Sequence, residues 1–537
     1  MPKLAIVNGK IIDGAGNPWF RSDLEITGER ISGIGKASRA KAKVIDASGC
    51  IVAPGFIDIH SHSDLDILVN PKAESKVRQG VTTEVFPNCG SGAAPLKGEA
   101  VELIKDDLKE LGLKLDWSTM AQYMRRIERK GTALNVALLI PHGTLRACVM
   151  GFENRRPTER EMKEMITLTE QCMRQGAFGM CTGLRYVPGS YAETSEVVEL
   201  LKVVGRYGGF YASHIRDEGD RGTYPAAISE AIEIGEKAGV PVEISHLKAL
   251  GKRAWGKVKD ALKIIDDARS RGVDVTCDMY PYNASGTGFM AWIPKWSHEG
   301  GFEKFLERLK DPELRRKIIE ETRGVLEDRG GPENAVVTRF APNPAYEGKT
   351  LQEISAMKSK DPVETILDLI VESKGETPVV NFNMLDEDVE TVMKHRAVMF
   401  GTDGYALAPY GILGRGKPHP RSYGTYPRVL GRYVREKGLL TIEEAIRKMS
   451  SLPAQRLGLQ DRGLIKEGMY ADIVVFKPDI VQEKATFTDP HQYPEGIEYV
   501  IVNGTVLIEK GKHTGALPGR VLRKSKPWRE NPWRCHQ

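Results

Sequence analysis

Eight short runs of apolar and β-branched residues recur between residues 56 and 403, and most are separated by segments of helical periodicity. Two of these segments read YPAAISEAIEIGEKAG and VKDALKIIDDARSRG. Eight strand–helix repeats predict an α/β fold in which a parallel sheet closes into a (β/α)8, TIM-like barrel. The runs are FIDIH (56–60), TTEVF (82–86), NVALLI (135–140), AFGM (177–180), GFYASH (209–214), VEISH (242–246), VDVTCDMY (273–280) and AVMFGTD (397–403).

An insertion is predicted between the seventh and eighth runs. The gap from residue 281 to residue 396 is too long for one crossover connection, and it contains two more strand-like runs, VVTRF (337–341) and VVNFN (379–383). We therefore expect about residues 283–396 to form an added unit after strand 7. Because it follows the carboxyl end of a barrel strand, this unit would lie over the face where such barrels place their active sites.

The two ends of the chain carry similar β-rich sequences. LAIVNGKIID (4–13) and EYVIVNGTVLI (498–508) both turn at Asn-Gly, the strongest short signal for a β-hairpin, and ADIVVF (471–476) is a further strand-like run. These runs predict a small β-sandwich module formed by both chain ends. The expected division is residues 1–53 and 463–537 for the module with its basic tail, and residues 54–462 for the barrel.

Positive charge is concentrated at one end of the chain. The net charge is +5, and the last twenty residues account for all of it with six basic residues and one acidic residue. The rest of the chain is close to neutral, which argues against an extended nucleic-acid surface. We expect the tail to pack on the body through Trp528 and Trp533, and a partner-binding tail is the alternative.

The sequence has none of the patterns of a membrane or secreted protein. No apolar stretch approaches the roughly 18 residues of a membrane-spanning helix, and the first residues, MPKLAIVNGKIIDG, are too polar for a signal peptide. The seven cysteines are scattered and form no C-x-x-C motif, so a disulfide framework is not expected. We predict a cytoplasmic protein that acts on a small molecule and binds no membrane. The sequence does not predict an oligomeric state.

Residues that can bind a metal follow several of the predicted strands. A strand directs residues two apart to the same side, as it would for the two histidines of HSH (60–62). Parallel strands of a barrel also end on one common face. A single histidine at a strand end is more often a packing residue, but six candidates with the same placement favour a metal site. They are His60, His62, Cys89, His214, His246 and Asp403.

The residue types in this set favour zinc. Imidazole, thiolate and carboxylate ligands suit Zn²⁺, and a thiolate disfavours Mg²⁺ and Ca²⁺. A closed structural site takes its four ligands from nearby positions, whereas these residues are spread from 60 to 403. We therefore expect a catalytic zinc with one position open for water.

Motifs along most of the chain resemble those of one enzyme family. They are PGFIDIHSHSD (54–64), NCG (88–90), SHIRDE (213–218), ISHLKALG (244–251), DMYPY (278–282), GTDG (401–404) and HPRSYGTYPRVLGRYVRE (419–436). The first resembles the strand-1 signature of the amidohydrolase superfamily. The combination is similar to that of the N-acyl-D-amino-acid deacylases, or D-aminoacylases. Many activities share the HxH motif, whereas Cys89 together with HPRxxGTxPR is specific to fewer proteins.

The resemblance implies two metal positions of unequal strength. A tight zinc would be held by Cys89, His214 and His246, and a weaker position would be formed by His60, His62 and Asp403. Many dinuclear relatives bridge their metals with a carboxylated lysine on strand 4, but here that strand ends in GMCTGLRY, without a lysine. Either the cysteine bridges two metals or there is effectively one metal.

Two cysteines compete for the thiolate role. Cys181 lies in the strand-4 run, whereas Cys89 follows the second run and is flanked by Asn88 and Gly90. These neighbours predict a tight exposed turn rather than a strand interior, which favours Cys89.

The resemblance implies zinc-dependent hydrolysis of N-acyl-D-amino acids to a carboxylate and a free D-amino acid. Zinc lowers the pKa of a bound water toward about 7 and polarises an amide carbonyl. Asp403 would take the proton of the water and return it to the departing amine. Cys89 as a covalent nucleophile is disfavoured, because coordination would consume the thiolate.

Candidate substrate-binding residues lie close to these motifs in the sequence. Arg421 offers a guanidinium fork for a free α-carboxylate, Lys248 follows His246 by two residues, and Tyr280 ends strand 7. The family places a small hydroxyl six residues after this tyrosine; position 286 is glycine here, so Ser285 or Thr287 would replace it. The alternative roles are solvated loop charges and a packed aromatic ring. Further pocket candidates are His142, Arg146, Asp217 and His419.

Two other functions remain open from the sequence. One is a related amidohydrolase acting on a cyclic amide or a D-residue dipeptide. The missing strand-4 lysine disfavours the cyclic amide as its substrate. The other is a non-catalytic metal-binding protein, which the complete set of site residues disfavours. The apolar segment NASGTGFMAWIPKW (283–296) predicts a preference for apolar D-side chains if it lines the pocket, and packing within the insertion is the alternative.

Overall fold

Eight parallel strands form the wall of a barrel in the computed structural model, which describes residues 3–38 and 41–524. Each strand pairs in parallel with the next one along the chain. This order confirms the predicted barrel. The strands are β1 (Phe56–Asp58), β2 (Val81–Phe86), β3 (Asn135–Pro141), β4 (Gly179–Gly183), β5 (Phe210–His214), β6 (Val242–Ile244), β7 (Val275–Met279) and β8 (Val398–Phe400).

Helices with one apolar face surround the barrel. Two of them begin at Thr119 and Thr158, which each form a capping box that satisfies free backbone N–H groups. Another ends at Gly239, which adopts the left-handed conformation. Their buried faces join the strands in the main hydrophobic core. The principal helices are Glu74–Val77, Met120–Lys130, His142–Met150, Glu159–Arg174, Thr194–Arg206, Tyr224–Ala238, Val258–Ser270, Asp386–Lys394, Arg421–Arg428 with its π-helical continuation Val429–Glu436, Ile442–Met449 and Ser451–Leu457.

The insertion after β7 has a sheet and a hydrophobic core of its own. The sheet consists of Ser285–Gly288, Pro378–Asn381 and Ala335–Val337, and the helices are Phe302–Lys310, Pro312–Asp328, Leu351–Lys358 and Pro362–Glu372. The strand expected at 337–341 ends at Val337. The helix Asp386–Lys394, inside the predicted insertion, buries Val389, Val392 and Met393 in the main core instead.

Strands from both chain ends form two further sheets. One combines Lys3–Val7, Asp23–Thr27, Arg30–Gly35 and Ala42–Asp46, and the other combines Lys10–Ile11, Phe20–Arg21, Ile51–Pro54, Ile473–Phe476, Ile497–Val502, Thr505–Glu509 and Lys512–His513. Their apolar faces share one core. The expected docking of Trp528 and Trp533 lies outside the described residues.

None of the helices in the described parts of the chain is both long enough and apolar enough to cross a bilayer. The cytoplasmic location stays a prediction.

Candidate metal centre

Four of the six predicted metal-binding side chains meet at the carboxyl ends of the barrel strands. His60, Cys89, His246 and Asp403 place one ligand atom each within 4.8 Å of the others. The Sγ atom of Cys89 lies 3.4 Å from Nε2 of His60 and 3.3 Å from Nε2 of His246. Oδ1 of Asp403 lies 3.5 Å from Nε2 of His60. A thiol, two imidazoles and a carboxylate therefore surround one point.

The other two predicted residues border this group. Oδ1 of Asp403 accepts a hydrogen bond from Nε2 of His62 at 2.9 Å. His214 forms a second metal-capable group with His246 and Glu218, and its ring centroid lies 4.4 Å from that of His246. Neither ring nitrogen of the buried His214 has a hydrogen-bond partner among the described residues, although Nε2 lies 3.4 Å from Oε2 of Glu218. Buried nitrogens without partners fit a role as metal ligands.

Three of these residues adopt a backbone conformation that side chains other than glycine rarely adopt. The φ angles are 54° at Cys89, 37° at His246 and 47° at Asp403. Such conformations cost free energy and persist where the surrounding structure imposes them. The strands thus end in sharp turns that direct the thiol, imidazole and carboxylate inward. The tight turn expected at Cys89 is present, with Gly90 also at positive φ, but Cys89 is partly buried rather than exposed.

Asp278 orients two of the histidines and was not identified from the sequence. Its Oδ2 lies 3.1 Å from Nδ1 of His60, and its Oδ1 accepts the backbone N–H of His246 at 2.9 Å. Carboxylates that bind the far nitrogen of a metal-binding histidine fix its tautomer and orientation. Its position at the end of β7, in DMYPY, was the available signal.

Glu218 was also not identified, although it lies four residues after His214. It pairs closely with the ammonium of Lys248, and its Oε1 lies 3.2 Å from Nδ1 of His246. Lys248 is also 2.8 Å from that nitrogen through Nζ. Burial alone would raise the pKa of Glu218, but Lys248 and the two histidines lower it well below its usual value. The carboxylate is therefore ionised and can hold a cation or orient His246.

Arg421 lies beside Asp403, and Tyr280 lies beside Arg421. Arg421 forms an ion pair with Oδ2 of Asp403 at 2.8 Å, and its guanidinium lies 4.6 Å from the ring centroid of Tyr280. Burial alone would raise the pKa of Asp403, but Arg421 and His62 lower it well below its usual value. Asp403 is thus an ionised proton acceptor at neutral pH.

The two candidate hydroxyls have different neighbours. Ser285 is buried and its Oγ lies 3.0 Å from Oδ1 of Asn383. Thr287 lies 3.4 Å from the hydroxyl of Tyr186, whose ring is 4.7 Å from that of His214. Gly286 stands between them, and a Cβ there would lie 3.2 Å from Nη2 of Arg421. This strand therefore passes directly beside Arg421.

The remaining candidates form other contacts. Nε2 of His142 lies 3.1 Å from Glu196, which Arg146 also contacts at 3.2 Å. Asp217 accepts the backbone N–H groups of its own loop, and Nε2 of His419 lies 3.0 Å from the carbonyl of Ala284. Cys181 is fully buried and belongs to neither metal-capable group of the described residues.

The donor set fits zinc. A thiol and imidazoles are the ligands zinc prefers, and here they converge with a carboxylate from the ends of four separate strands. Burial raises the pKa of the Cys89 thiol well above its usual value. A bound cation would offset that effect, because a coordinating thiol loses its proton. Retaining a buried thiol at this position therefore agrees with a metal ligand.

Comparison with known proteins identifies relatives along most of the chain. The chain matches the model of the amidohydrolase family over residues 43–508. It is 37% identical over 524 residues to the N-acyl-D-glutamate deacylase of Alcaligenes xylosoxydans xylosoxydans, covering 97% of this chain and 96% of that protein. It is 35% identical over 523 residues to the D-aminoacylase of the same organism, covering 97% and 98%.

A solved structure extends the likeness to the fold. It is the N-acyl-D-glutamate deacylase of Bordetella bronchiseptica complexed with zinc and a phosphonate inhibitor that mimics the tetrahedral intermediate. The TM-score is 0.82 at 33% identity, and the alignment covers 97% of this chain and 99% of that one. With the family model matching most of its length, this chain belongs to the amidohydrolase family.

Proposed function

We propose that this protein is a zinc-dependent amidohydrolase that cleaves the amide bond of N-acyl-D-amino acids, releasing a carboxylate and a free D-amino acid. The observation that carries the proposal is the convergence of Cys89, His60, His246 and Asp403 within 4.8 Å, with Arg421 beside the carboxylate. Relatives matched along almost the whole chain deacylate N-acyl-D-amino acids, which supports the same reaction here.

As the family resemblance implies, three residues would hold the tight zinc: Cys89, His214 and His246. His246 belongs to both metal-capable groups, whereas Cys89 belongs to the first and His214 to the second. His60, His62 and Asp403 would form a second, weaker position, for which the distances from Asp403 to both histidines give support. When bound, zinc supplies Lewis acidity, which favours deprotonation of water and polarises an amide carbonyl. Glu218 and Asp278 would keep the histidines in the required orientation.

Asp403 would act as the general base and then the general acid. Its low pKa leaves it ionised at neutral pH, so it can accept a proton from the attacking water at Oδ1 or Oδ2. It would then donate that proton to the departing amine. The ion pair with Arg421 would hold the carboxylate in place during both transfers.

Four residues would bind the D-amino acid. Arg421 would bind the α-carboxylate, because a guanidinium matches a carboxylate in charge and geometry. Lys248 and Tyr280 lie next to it around the same site, with the Lys248 ammonium 5.7 Å from the tyrosine ring centroid. Ser285 would supply the small hydroxyl, and Thr287 is the alternative.

The apolar segment 283–296 follows the packing alternative, since its large side chains join the core of the insertion. Phe289, Trp292 and Ile293 are at most 1% exposed and belong to the core of the insertion. Met290 and Trp296 pack against the same core. One relative is an N-acyl-D-glutamate deacylase, so an acidic D-side chain belongs in the substrate test.

A substrate panel tests the proposal directly. The zinc-loaded protein should release acetate from N-acetyl-D-Met but not from N-acetyl-L-Met, and should leave a hydantoin intact. Including N-acetyl-D-Glu in the same panel measures the side-chain preference. Hydrolysis of the hydantoin in preference to every linear amide would instead assign a cyclic-amide hydrolase, and a zinc-loaded protein inactive on all four compounds would contradict the proposal.

A further inference from the structure

The barrel closes between its last and first strands without a regular β-ladder. Beyond the strand ends, the N–H of Asp403 donates to the carbonyl of His60 at 2.8 Å, and that of His62 donates to the carbonyl of Gly404 at 2.9 Å. One residue earlier, the N–H of Thr402 donates to a side chain, Oδ1 of Asp58, at 2.8 Å. The position of Asp403 relative to the two histidines therefore depends on the Asp58 carboxylate.

A buried lysine holds this junction together. Lys76, on the helix Glu74–Val77, is fully buried, and its Nζ donates to Oδ2 of Asp58 at 2.8 Å and to Oγ1 of Thr402 at 2.5 Å. It also donates to the carbonyl of Gly404 at 3.2 Å. Thr402 Oγ1 in turn donates to Oδ2 of Asp58 at 2.7 Å. A single ammonium thus joins β1 to the segment that carries Asp403.

The same ammonium reaches the strand that precedes Cys89. Its Nζ lies 3.1 Å from Oε1 of Glu84 on β2, and this carboxylate also accepts from the hydroxyl of Ser63. Asp58, the last residue of β1, precedes His60 by two residues, and Glu84 on β2 precedes Cys89 by five residues. Lys76 therefore contacts all three segments that bring the histidines, the thiol and the acid together, without lying among those groups itself.

We propose that Lys76 is a positioning residue for the metal centre, acting through Asp58, Glu84 and Thr402 to set the placement of Asp403 relative to His60 and Cys89. The inference rests on the proposed function. Two buried carboxylates would repel each other without a cation between them, which would separate β1 from β2 and release the turn at Thr402. Shifts of about 1 Å at a reacting group reduce turnover strongly, even when the altered residue is distant from the chemistry.

The sharpest test removes one hydroxyl. Thr402→Val keeps the side-chain shape but removes the group that bonds both Lys76 and Asp58, whereas Thr402→Ser retains that group. We expect Thr402→Val to lower kcat on N-acetyl-D-Met by about 10-fold or more with KM changed by less than about threefold, and Thr402→Ser to restore most of the rate. Zinc loss to a chelator, followed by metal analysis, should be about 10-fold faster for the valine variant alone.

Lys76→Met is compared with Lys448→Met. Lys448 is also fully buried and donates to the carbonyls of Met393 and Val398 at 3.0 and 3.2 Å, at the opposite end of β8. Both variants should lower the melting temperature, but only Lys76→Met should accelerate zinc loss and lower kcat. If Lys76→Met does not fold, the Thr402 pair decides the question.

Two results would overturn the inference. One is a Thr402→Val protein with the kcat and zinc-release rate of the wild type. The other is a Lys448→Met protein that loses zinc and turnover as fast as Lys76→Met, which would reduce Lys76 to a contributor to stability. If the wild type retains zinc but hydrolyses no substrate, the proposed function fails, whereas the zinc-release comparison still judges Lys76.

Discussion

Cys89 provides the thiol that lies against two histidines in the predicted centre. We expect Cys89→Ala to fold but to lose its zinc on dialysis and to lower kcat/KM by at least about 10²-fold, because two imidazoles remain without the thiolate. Metal analysis and initial rates measure both effects. Cys181→Ala is the matched control, since Cys181 is buried outside the metal-capable groups of the described residues. Full zinc in an active Cys89→Ala protein would transfer the role to another residue.

Asp403 is expected to move the proton. Asp403→Asn keeps the size of the side chain but cannot accept a proton, so kcat should fall by about 10²–10⁴-fold while tightly bound zinc is largely retained. Steady-state kinetics and zinc content are measured on the same sample. A variant that keeps more than about a tenth of the wild-type turnover would show that another group acts as the base.

Asp64 makes stability depend on pH. Burial raises its pKa from 3.8 to about 7. Between these values the folded protein holds a proton that the unfolded chain has released, so the free energy of unfolding falls as pH rises from about 4 to about 7. In Asp64→Asn the free energy of unfolding should fall less over this pH range. The difference should be a few kcal/mol, because each unit by which the pKa differs between the folded and unfolded states contributes on the order of 1.4 kcal/mol. Urea unfolding of metal-free protein at several pH values measures it, and parallel curves for both proteins would contradict the expectation.

At the scale of elements, a substitution in the insertion tests whether its aromatic residues pack in its core or bind substrate. Trp292 is 1% exposed, and its ring centroid lies 5.0 Å from that of Phe289. Trp292→Ala should lower the free energy of unfolding by about 3–5 kcal/mol, provided the insertion unfolds with the barrel. The ratio of kcat/KM on N-acetyl-D-Met and N-acetyl-D-Glu should stay unchanged. Met357→Ala, on an exposed face of the same insertion, should change stability by less than about 0.5 kcal/mol. A changed substrate ratio would place Trp292 at the pocket after all.

Local periodicity predicted the existence of the barrel strands better than their ends. The run AFGM (177–180) corresponds to a strand that starts two residues later and continues to Gly183. The run VVTRF (337–341) shares only Val337 with a strand. Strand ends depend on which neighbour supplies the hydrogen bonds, and that neighbour is distant in sequence.

At the scale of the whole molecule, polar side chains connect the barrel with the sheets formed by the chain ends. Asn135 on β3 is fully buried and donates to Oδ2 of Asp472 at 3.2 Å, and Nδ2 of Asn503 donates to Oδ1 of Asn135 at 2.9 Å. Asn135→Ala removes both bonds, although Asp472 keeps Arg462 and Asn503 keeps the carbonyl of Pro518. Stability should therefore fall by about 1–3 kcal/mol for the two lost bonds, in a single calorimetric transition. Two separate transitions would show that barrel and end sheets unfold independently.

By itself, the sequence determined the (β/α)8 architecture and the residue types of the candidate metal centre. Alternating strand and helix periods are local properties, and so is the placement of a histidine, cysteine or aspartate at the end of a strand. Only the tertiary structure decided which side chains support that centre. Asp278 bonds a histidine 218 residues away and Lys76 bonds a threonine 326 residues away, and no local pattern records such contacts. It also decided that Trp292 packs inside the insertion, because burial depends on what the rest of the chain places around a side chain.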